Sequence, residues 1–445
     1  MDNNRGTWKS SFGFILAAAG SAVGVGNLWR FPYMMGSNGG FPFLVVYLII
    51  VVLLGMPVML GEFAIGRSTQ QSPVAAYSKI QKGSGFVGIL AILAPFLIMT
   101  YYGIVGGWAL RYFFSFLTTG EGTDFIGLIT GGLGLGVWQP VLWNLVFMVI
   151  VWAVCIFGVH GIEKANKFMM PALLVLLLVV IIRSVTLPGA GGGFRFMFAN
   201  PSAFTFGAIP AALGQAFFSL SLAMGAMITY GSYLKKDENL PKNTLIVSGL
   251  DTGIALLAGF AIFPAVFAMG GEPGAGAGLA FITLPGVFAA MPLGALVGAA
   301  FFLLLAFAAL TSAISLVEAC SAFTIDTWKW NRKISVTLLC VLFCVLAIPN
   351  SLSMAGGNPF SGENFLGTGM NLFDAVDFFA NNILLPLGGL LMCVVVGWFW
   401  KPESAVAEIE GTPGYSFKLK KAWSLLIKFV TPILILIVLV FQFIG

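Results

Sequence analysis

The sequence predicts an all-α polytopic membrane protein of about 11 transmembrane helices, in a 5+5 inverted repeat with broken helices 1 and 6. Composition, the length of the apolar segments and two interruptions within them carry this prediction. Hydrophobic residues make up 59% of the 445 residues, charged residues only 9%, and the mean hydropathy is +0.98. This composition excludes a water-soluble domain of this length.

Apolar segments give the predicted spans directly, because a helix that crosses a bilayer needs about 20 mostly apolar residues. Eleven such segments lie near 11–35, 41–66, 86–117, 138–157, 168–187, 205–234, 244–270, 293–326, 333–350, 372–400 and 423–444. The first contains Asn27 and Arg30 and continues through Pro32, without a convincing small-residue cleavage site. We therefore expect it to remain as the first helix rather than to be removed as a signal peptide.

The first segment is interrupted between residues 20 and 32 by three glycines, an amide, a cation and a proline. Non-helical backbone at membrane depth is tolerated only where it lines a protein cavity. The freed carbonyls and amides can then face an ion or a small solute. A second interruption, at 215–225, lies in the sixth segment. Broken helices of this kind are typical of secondary transporters, so the sequence predicts a binding site near the bilayer midplane.

Breaks in spans one and six predict two repeats of five helices. Because five is odd, the repeats enter the membrane in opposite orientations. The predicted repeats are 11–187 and 205–400, with 423–444 as an additional helix outside them. The break positions alone carry this prediction, since no clear sequence identity links the halves.

Lysine and arginine predict the orientation, because they are enriched on cytoplasmic connections. They concentrate on alternate connections, at 5–9, 67–82, 164–167, 235–242, 329–333 and 401–421. We expect a cytoplasmic N-terminus in the inner (plasma) membrane of a bacterium and, with an odd span count, an external C-terminus. The net charge of +5 then reflects topology, and we expect the lipid bilayer and no nucleic acid as a partner. The oligomeric state is undetermined by the sequence.

Enzymatic motifs are missing from the sequence. The five cysteines lie in apolar segments without paired spacing, and His160 is the only histidine. The sequence has no His-Glu-x-x-His, Gly-x-Ser-x-Gly or Gly-x-x-x-x-Gly-Lys pattern. We therefore expect no enzyme activity and no organic cofactor, and an ion gradient as the energy source for any transport.

Several ordered motifs carry a resemblance to a known family. They are GSAVGVGNLWRFP at 20–32, NGG at 38–40, GMP at 55–57, Glu62, FFSLS at 217–221 and LTS at 310–312. Together they resemble the neurotransmitter:sodium symporter family, over residues from Trp8 to about Trp400. The eleven-span length is similar to that of bacterial amino-acid-transporting members. The resemblance implies sodium-coupled amino-acid uptake by alternating access, with residues 1–445 as a single membrane transport domain.

The resemblance also implies two sodium sites built from oxygen ligands, which this hard cation prefers. Site one would use Ala22, Asn27, Ser219 and Asp251, completed by the substrate carboxylate. Site two would use Gly20, Val23, Ala308, Thr311 and Ser312. For Thr311 and Ser312, ordinary hydrogen bonding to a carbonyl of their own helix is the alternative.

Asp251 departs from the family pattern, in which Asn is frequent at this position. Chloride-dependent relatives also place a hydroxyl where this chain has Ala255. The hypothesis is that the Asp251 carboxylate supplies the negative charge that chloride provides elsewhere, so that transport is chloride-independent. The alternative is a protonated or cavity-hydrated carboxyl group near a helix end.

The substrate pocket implied by the resemblance points to a neutral hydrophobic or aromatic L-amino acid. Its residues would be Ala22, Gly24, Gly26, Ile98, Tyr102, Phe218, Ser219, Ser221, Met224, Ser312 and Leu316. Monoamine-transporting relatives carry Asp at the position of Gly24, and no side chain of the set neutralises a charged substrate. Each residue alone fits ordinary helix packing. A sodium-dependent osmolyte or GABA-type carrier and a non-transporting amino-acid sensor are the alternatives.

Gates on both sides follow from the same resemblance. Arg30 and Asp377 match an outer gate above Tyr102 and Phe218. Arg5 and Asp326 match an inner latch, with Trp8 covering the cytoplasmic path. Arg5 also fits a plain topology determinant. The spacing of Gly161 and Pro171 resembles a motif that unwinds the start of the fifth span, and a simple helix-start proline is the alternative.

Overall fold

The structure, a computed structural model, describes residues 6–130, 138–199, 204–271, 273, 278–355, 358–362 and 365–444. Within these ranges the chain is helical and contains no β-strand, so the predicted all-α membrane fold is confirmed. Eight described helices are long and apolar enough to cross a membrane, and a ninth span consists of two helices bent by 47°. Two shorter apolar helices supply the fourth and sixth of the predicted spans.

The eleven spans, numbered in chain order, all coincide with predicted apolar segments. They are span 1, Ser11–Ala22 with Gly26–Ser37; span 2, Phe41–Thr69; span 3, Gly85–Thr119; span 4, Gln139–Cys155; span 5, Gly158–Val185; span 6, Ala208–Ser219 with Ala226–Gly231; span 7, Leu240–Ala268; span 8, Gly294–Trp328; span 9, Arg332–Ser353; span 10, 372–399; and span 11, Lys420–Val440. The division into repeats 11–187 and 205–400 stays a prediction.

Short helices lie between the spans and at their ends. They are Pro73–Ile80, Phe125–Thr130, Gly191–Phe198, Leu284–Ala290 and Pro402–Glu410. Leu284–Ala290 follows a π-helical turn that carries Phe281, whose ring packs 5.7 Å from Trp29 and 5.6 Å from Trp108 between ring centroids. This connection therefore covers the end of span 1 that carries Arg30.

Polar side chains define where several spans begin. Ser10 caps span 1 by accepting the Gly13 amide hydrogen at 3.0 Å, and Asn239 caps span 7 by accepting that of Lys242 at 2.9 Å. Asn331 does the same at the start of span 9. These acceptors satisfy amides that have no partner within the helix. All three spans begin on the predicted cytoplasmic side.

Span 5 begins about ten residues before its predicted start and runs through Pro171 without a break. Hydropathy did not predict this first part of the helix, because residues 160–167 are largely polar. Glu163 and Lys167 form an ion pair across one helical turn at 2.6 Å, which stabilises the helix there. Unwinding between Gly161 and Pro171 is not seen in this structure. Interior prolines are tolerated in membrane helices because neighbouring groups satisfy the freed carbonyl.

Candidate functional site

Span 1 is broken at Val23 and Gly24, where the chain leaves the helix before resuming at Gly26 in a π-helical turn. Gly24 faces Tyr102 of span 3 and Ser312 of span 8. A methyl group on Gly24 would lie 3.2 Å from the Tyr102 hydroxyl and would collide with the Ser312 hydroxyl. Close approach of three spans therefore requires glycine at this position.

Span 6 is broken by left-handed backbone at Ser221 (φ 53°), Ala223 (φ 60°) and Gly225 (φ 67°). Such backbone is costly for residues other than glycine and persists where surrounding contacts impose it. One such contact comes from span 2, where the buried Glu62 carboxylate accepts the Ala223 amide hydrogen at 3.0 Å. The sequence singled out Glu62 only as part of a motif, without a role.

A cavity lies between the two breaks. Its lining residues are Ser21, Ala22, Gly24, Gly26, Ile98, Tyr102, Phe218, Ser221, Met224, Ser312 and Leu316. All of them except Ser21 belong to the pocket expected from the sequence, and none carries a charge. Ser219, also expected there, lies instead in the polar cluster described below. The structure thus brings the expected pocket residues together, while their binding role stays a prediction.

Ser21 is the cavity residue that the sequence analysis missed. Its hydroxyl donates to Ser315 Oγ at 2.7 Å, and its carbonyl accepts from Ser221 Oγ at 2.8 Å and Ser312 Oγ at 3.1 Å. These bonds tie spans 1, 6 and 8 together beside the cavity. Its position two residues before the break, next to Gly20, was the available signal.

Oxygen cluster one consists of the Asn27, Ser219 and Asp251 side chains, from spans 1, 6 and 7. Asn27 Nδ2 donates to Asp251 Oδ1 at 2.7 Å, and Ser219 Oγ donates to the same oxygen at 2.9 Å. Tyr47 Oη lies 3.4 Å from Asp251 Oδ2. The carboxyl group is completely buried, and all its hydrogen-bond partners in the described ranges are neutral. A bound cation would supply the missing opposite charge.

Oxygen cluster two consists of the Thr311 hydroxyl and the Val23 and Ala308 carbonyls, which lie 3.2 and 3.0 Å from Thr311 Oγ1. Thr311 thus forms the ordinary bond within its own helix and also reaches the break in span 1. The Ser312 hydroxyl is directed at Ser21 instead. Gly20, at the last turn before the break, packs against Asn166 and Met170 of span 5.

Both clusters provide the oxygen ligands that a hard cation prefers. Their side-chain ligands are hydroxyl, carboxylate and amide groups, and backbone carbonyls complete the set. Both clusters include a residue of span 1. Asn27 of oxygen cluster one and Val23 of oxygen cluster two lie on either side of Gly24 in the sequence. An ion in either cluster would therefore hold the same break.

Arg30 lies on the outer side of the cavity. Its guanidinium carbon is 5.0 Å from the centroid of the Phe218 ring, a cation–π contact. Asp377 instead accepts from Asn381 Nδ2 at 2.7 Å, and its separation from Arg30 exceeds the 4.0 Å of a direct ion pair. The expected outer gate is therefore not closed by direct contact in this structure.

Trp8 closes the opposite side. The side chain is only 4% exposed, its Nε1 donates to the Tyr230 carbonyl at 3.0 Å, and its ring meets that of Tyr230 edge-on at 5.3 Å. Asp326 accepts the Ser72 amide hydrogen at 2.7 Å. Arg5, its expected latch partner, lies outside the described residues.

Comparisons with known proteins identify the family of this chain. The model of the sodium:neurotransmitter symporter family matches residues 5–121 and 131–445. An uncharacterized sodium-dependent transporter of Bacillus subtilis is 36% identical, over 97% of this chain and 96% of its own length. A sodium- and chloride-dependent taurine transporter of the dog is 28% identical, over 97% of this chain and 77% of its own.

A solved structure extends the match to three dimensions. The crystal structure of MhsT in complex with L-phenylalanine superposes with a TM-score of 0.90 at 43% identity, covering 98% of this chain and 99% of that one. The matching family and the relatives named above are transporters and not enzymes. This chain, a multi-pass membrane protein with two broken spans around a buried cavity, therefore belongs to the sodium:neurotransmitter symporter family.

Proposed function

We propose that the protein imports a neutral hydrophobic or aromatic L-amino acid together with sodium, by alternating access, into a bacterium. The carrying observation is the uncharged cavity between two helix breaks, flanked by oxygen cluster one and oxygen cluster two. Broken helices at mid-membrane are the usual place for a substrate and its coupling ions. The N-terminus is cytoplasmic in this proposal.

The substrate is assigned from the chemistry of the cavity. Its carboxylate lies near the Tyr102 hydroxyl and the backbone of Gly24 and Gly26, and its apolar side chain contacts Ile98 and Met224. The flexible Met224 thioether suits side chains of several shapes. Support comes from MhsT, whose crystal structure holds L-phenylalanine.

Two sodium ions accompany the substrate, one at each oxygen cluster. Since ions and substrate stabilise the same arrangement of spans 1, 6 and 8, each raises the affinity for the others. A charge that crosses a potential of 100 mV releases about 2.3 kcal/mol. Two sodium ions thus drive accumulation without ATP.

Chloride takes no part in the proposed cycle. Asp251 stands in oxygen cluster one and carries the negative charge, while the chain has Ala255 in place of a chloride-binding hydroxyl. The Asp251 carboxylate thus neutralises part of the sodium charge at the position where chloride-dependent relatives use the anion.

Uptake by proteoliposomes tests the proposal. With an inward sodium gradient we expect accumulation of radiolabelled phenylalanine, tryptophan or leucine, no accumulation when choline replaces sodium, and an unchanged rate when gluconate replaces chloride. Accumulation of taurine or GABA in preference to these amino acids would favour an osmolyte carrier. Sodium-dependent binding without uptake or counterflow would instead identify a sensor.

A further inference from the structure

We propose that a groove between spans 2, 7 and 11 binds an anionic glycerophospholipid from the leaflet on the predicted cytoplasmic side. We refer to it as the 2–7–11 groove. It lies outside the substrate cavity and shares no lining residue with it. The inference is independent of the transported substrate.

The 2–7–11 groove encloses about 700 Å³ of free space, and exposed apolar side chains border it, as expected of a surface that faces the membrane. Val52 of span 2 and Leu245 of span 7 stand on its rim, 53% and 62% exposed. Trp423 is buried between spans 11 and 2, where its Nε1 donates to the Pro57 carbonyl at 3.2 Å. The walls are therefore apolar and held in place, as an acyl chain requires.

Two lysines line the groove near the points where spans 7 and 11 begin. Lys242, in the first turn of span 7, and Lys418, just before span 11, both line it and are exposed. Neither forms an ion pair with a carboxylate in the described part of the chain. None of the residues that line the groove is acidic. Both ammonium groups are thus available to an anion at the membrane boundary.

The connection that carries Lys418 is anchored. Glu410 Oε1 accepts the Phe417 amide hydrogen at 3.1 Å and bonds Lys420 Nζ at 3.1 Å. The hydrogen bond from Lys420, aided by that amide, lowers the pKa of the Glu410 carboxyl group. The Phe417 side chain is buried. Glu410 thus contacts the chain on both sides of Lys418, at Phe417 and at Lys420.

A phospholipid fits both parts of this surface, because its phosphate meets the lysines while its acyl chains lie along the apolar walls. Basic pockets between membrane helices on the cytoplasmic side suit anionic headgroups, and each lysine near the surface contributes materially to such binding. A zwitterionic lipid offers the same chains without the net charge. A soluble phosphate ester offers the charge without the chains.

Native mass spectrometry of the detergent-purified protein tests the proposal, with phosphatidylglycerol and phosphatidylcholine of identical chains as probes. We expect tighter binding of phosphatidylglycerol. The variant Lys242→Gln/Lys418→Gln should weaken it about 30-fold, given the usual contribution of two lysines, and leave phosphatidylcholine unchanged. Leu245→Trp, at an exposed position, should weaken both lipids by narrowing the groove.

Lys82→Gln/Lys329→Gln is the matched control, since it removes two exposed lysines on the same predicted side that do not line the groove. It should bind phosphatidylglycerol as the unchanged protein does. Equal binding of the two lipids, or an equal loss in this control, would overturn the proposal. So would displacement of phosphatidylglycerol by glycerol 1-phosphate, because the apolar walls would then contribute nothing.

Discussion

At the scale of single residues, Asp251 is the strongest indication of a cation site. Its carboxyl group lies at 0% exposure among Asn27, Ser219 and Tyr47, all neutral. A buried carboxylate with neutral partners alone is costly, and a cation among the same oxygens offsets that cost. The family pattern identified this position from the sequence. The sequence could not show that Asn27, Ser219 and Asp251 lie in contact, because they belong to spans 1, 6 and 7 and meet only in the folded protein.

The direct test of this role is to remove the Asp251 carboxylate and let a chloride ion supply the negative charge instead. The variant Asp251→Asn/Ala255→Ser removes the carboxylate and restores the hydroxyl that chloride-dependent relatives use. We expect its sodium-driven uptake to fall about tenfold when gluconate replaces chloride, within the usual range of coupling between two sites. Ala255→Ser alone should stay indifferent to chloride. A double variant that is equally indifferent contradicts the assignment.

Substitution tests whether the Thr311 hydroxyl binds sodium or only supports its own helix. Thr311→Val keeps the side-chain volume and removes the hydroxyl that reaches Val23. If this oxygen binds sodium, half-maximal uptake should require about tenfold more sodium, the loss typical of one polar contact to a charged group. The control is Thr69→Val, at a buried threonine of span 2 whose hydroxyl bonds the Ile65 carbonyl of its own helix. Equal sodium dependence in both variants would leave Thr311 with a helix-packing role only.

At the scale of elements, apolarity and glycine placement were sufficient to predict all the spans and the break in span 1. The detailed backbone of the break in span 6 could not be predicted, because Ser221 and Ala223 adopt left-handed conformations that serine and alanine rarely favour. One contact that supports it comes from another element, where Glu62 of span 2 accepts the Ala223 amide hydrogen. Long-range contacts of this kind have no local sequence signal.

Removing the Glu62 carboxylate tests whether span 2 supports the break in span 6. In Glu62→Ala the buried Ala223 amide loses its acceptor, at a cost of about 1–3 kcal/mol. We therefore expect a lower unfolding temperature in detergent and weaker sodium-dependent substrate binding. Glu62→Gln keeps an acceptor oxygen at the same place and should recover most of both. If Gln is as damaging as Ala, the hydrogen bond is not the source of the effect.

At the scale of the whole molecule, the structure closes the predicted cytoplasmic side more firmly than the outer side. Trp8 is hydrogen-bonded to the Tyr230 carbonyl, whereas Arg30 makes a cation–π contact with Phe218 and no direct ion pair with Asp377. The family resemblance named candidate residues for each gate, and their pairing stays a prediction. The sequence could not predict which gate is closed, because that depends on the conformation adopted and not on residue identity.

Opening of the cytoplasmic side should follow from loss of the Trp8 side chain. Trp8→Ala removes the bond to the Tyr230 carbonyl and the ring contacts with Phe14 and Tyr233. Since Tyr230 lies in the short helix Ala226–Gly231 that follows the break in span 6, we expect faster hydrogen exchange of the amides at 226–234 and a larger loss of uptake than of substrate binding. If sodium binds at the two breaks as proposed, it should restore part of the protection. Trp138→Ala, at a tryptophan that is 55% exposed, is the control, and equal exchange in the two variants would show that Trp8 does not hold this side shut.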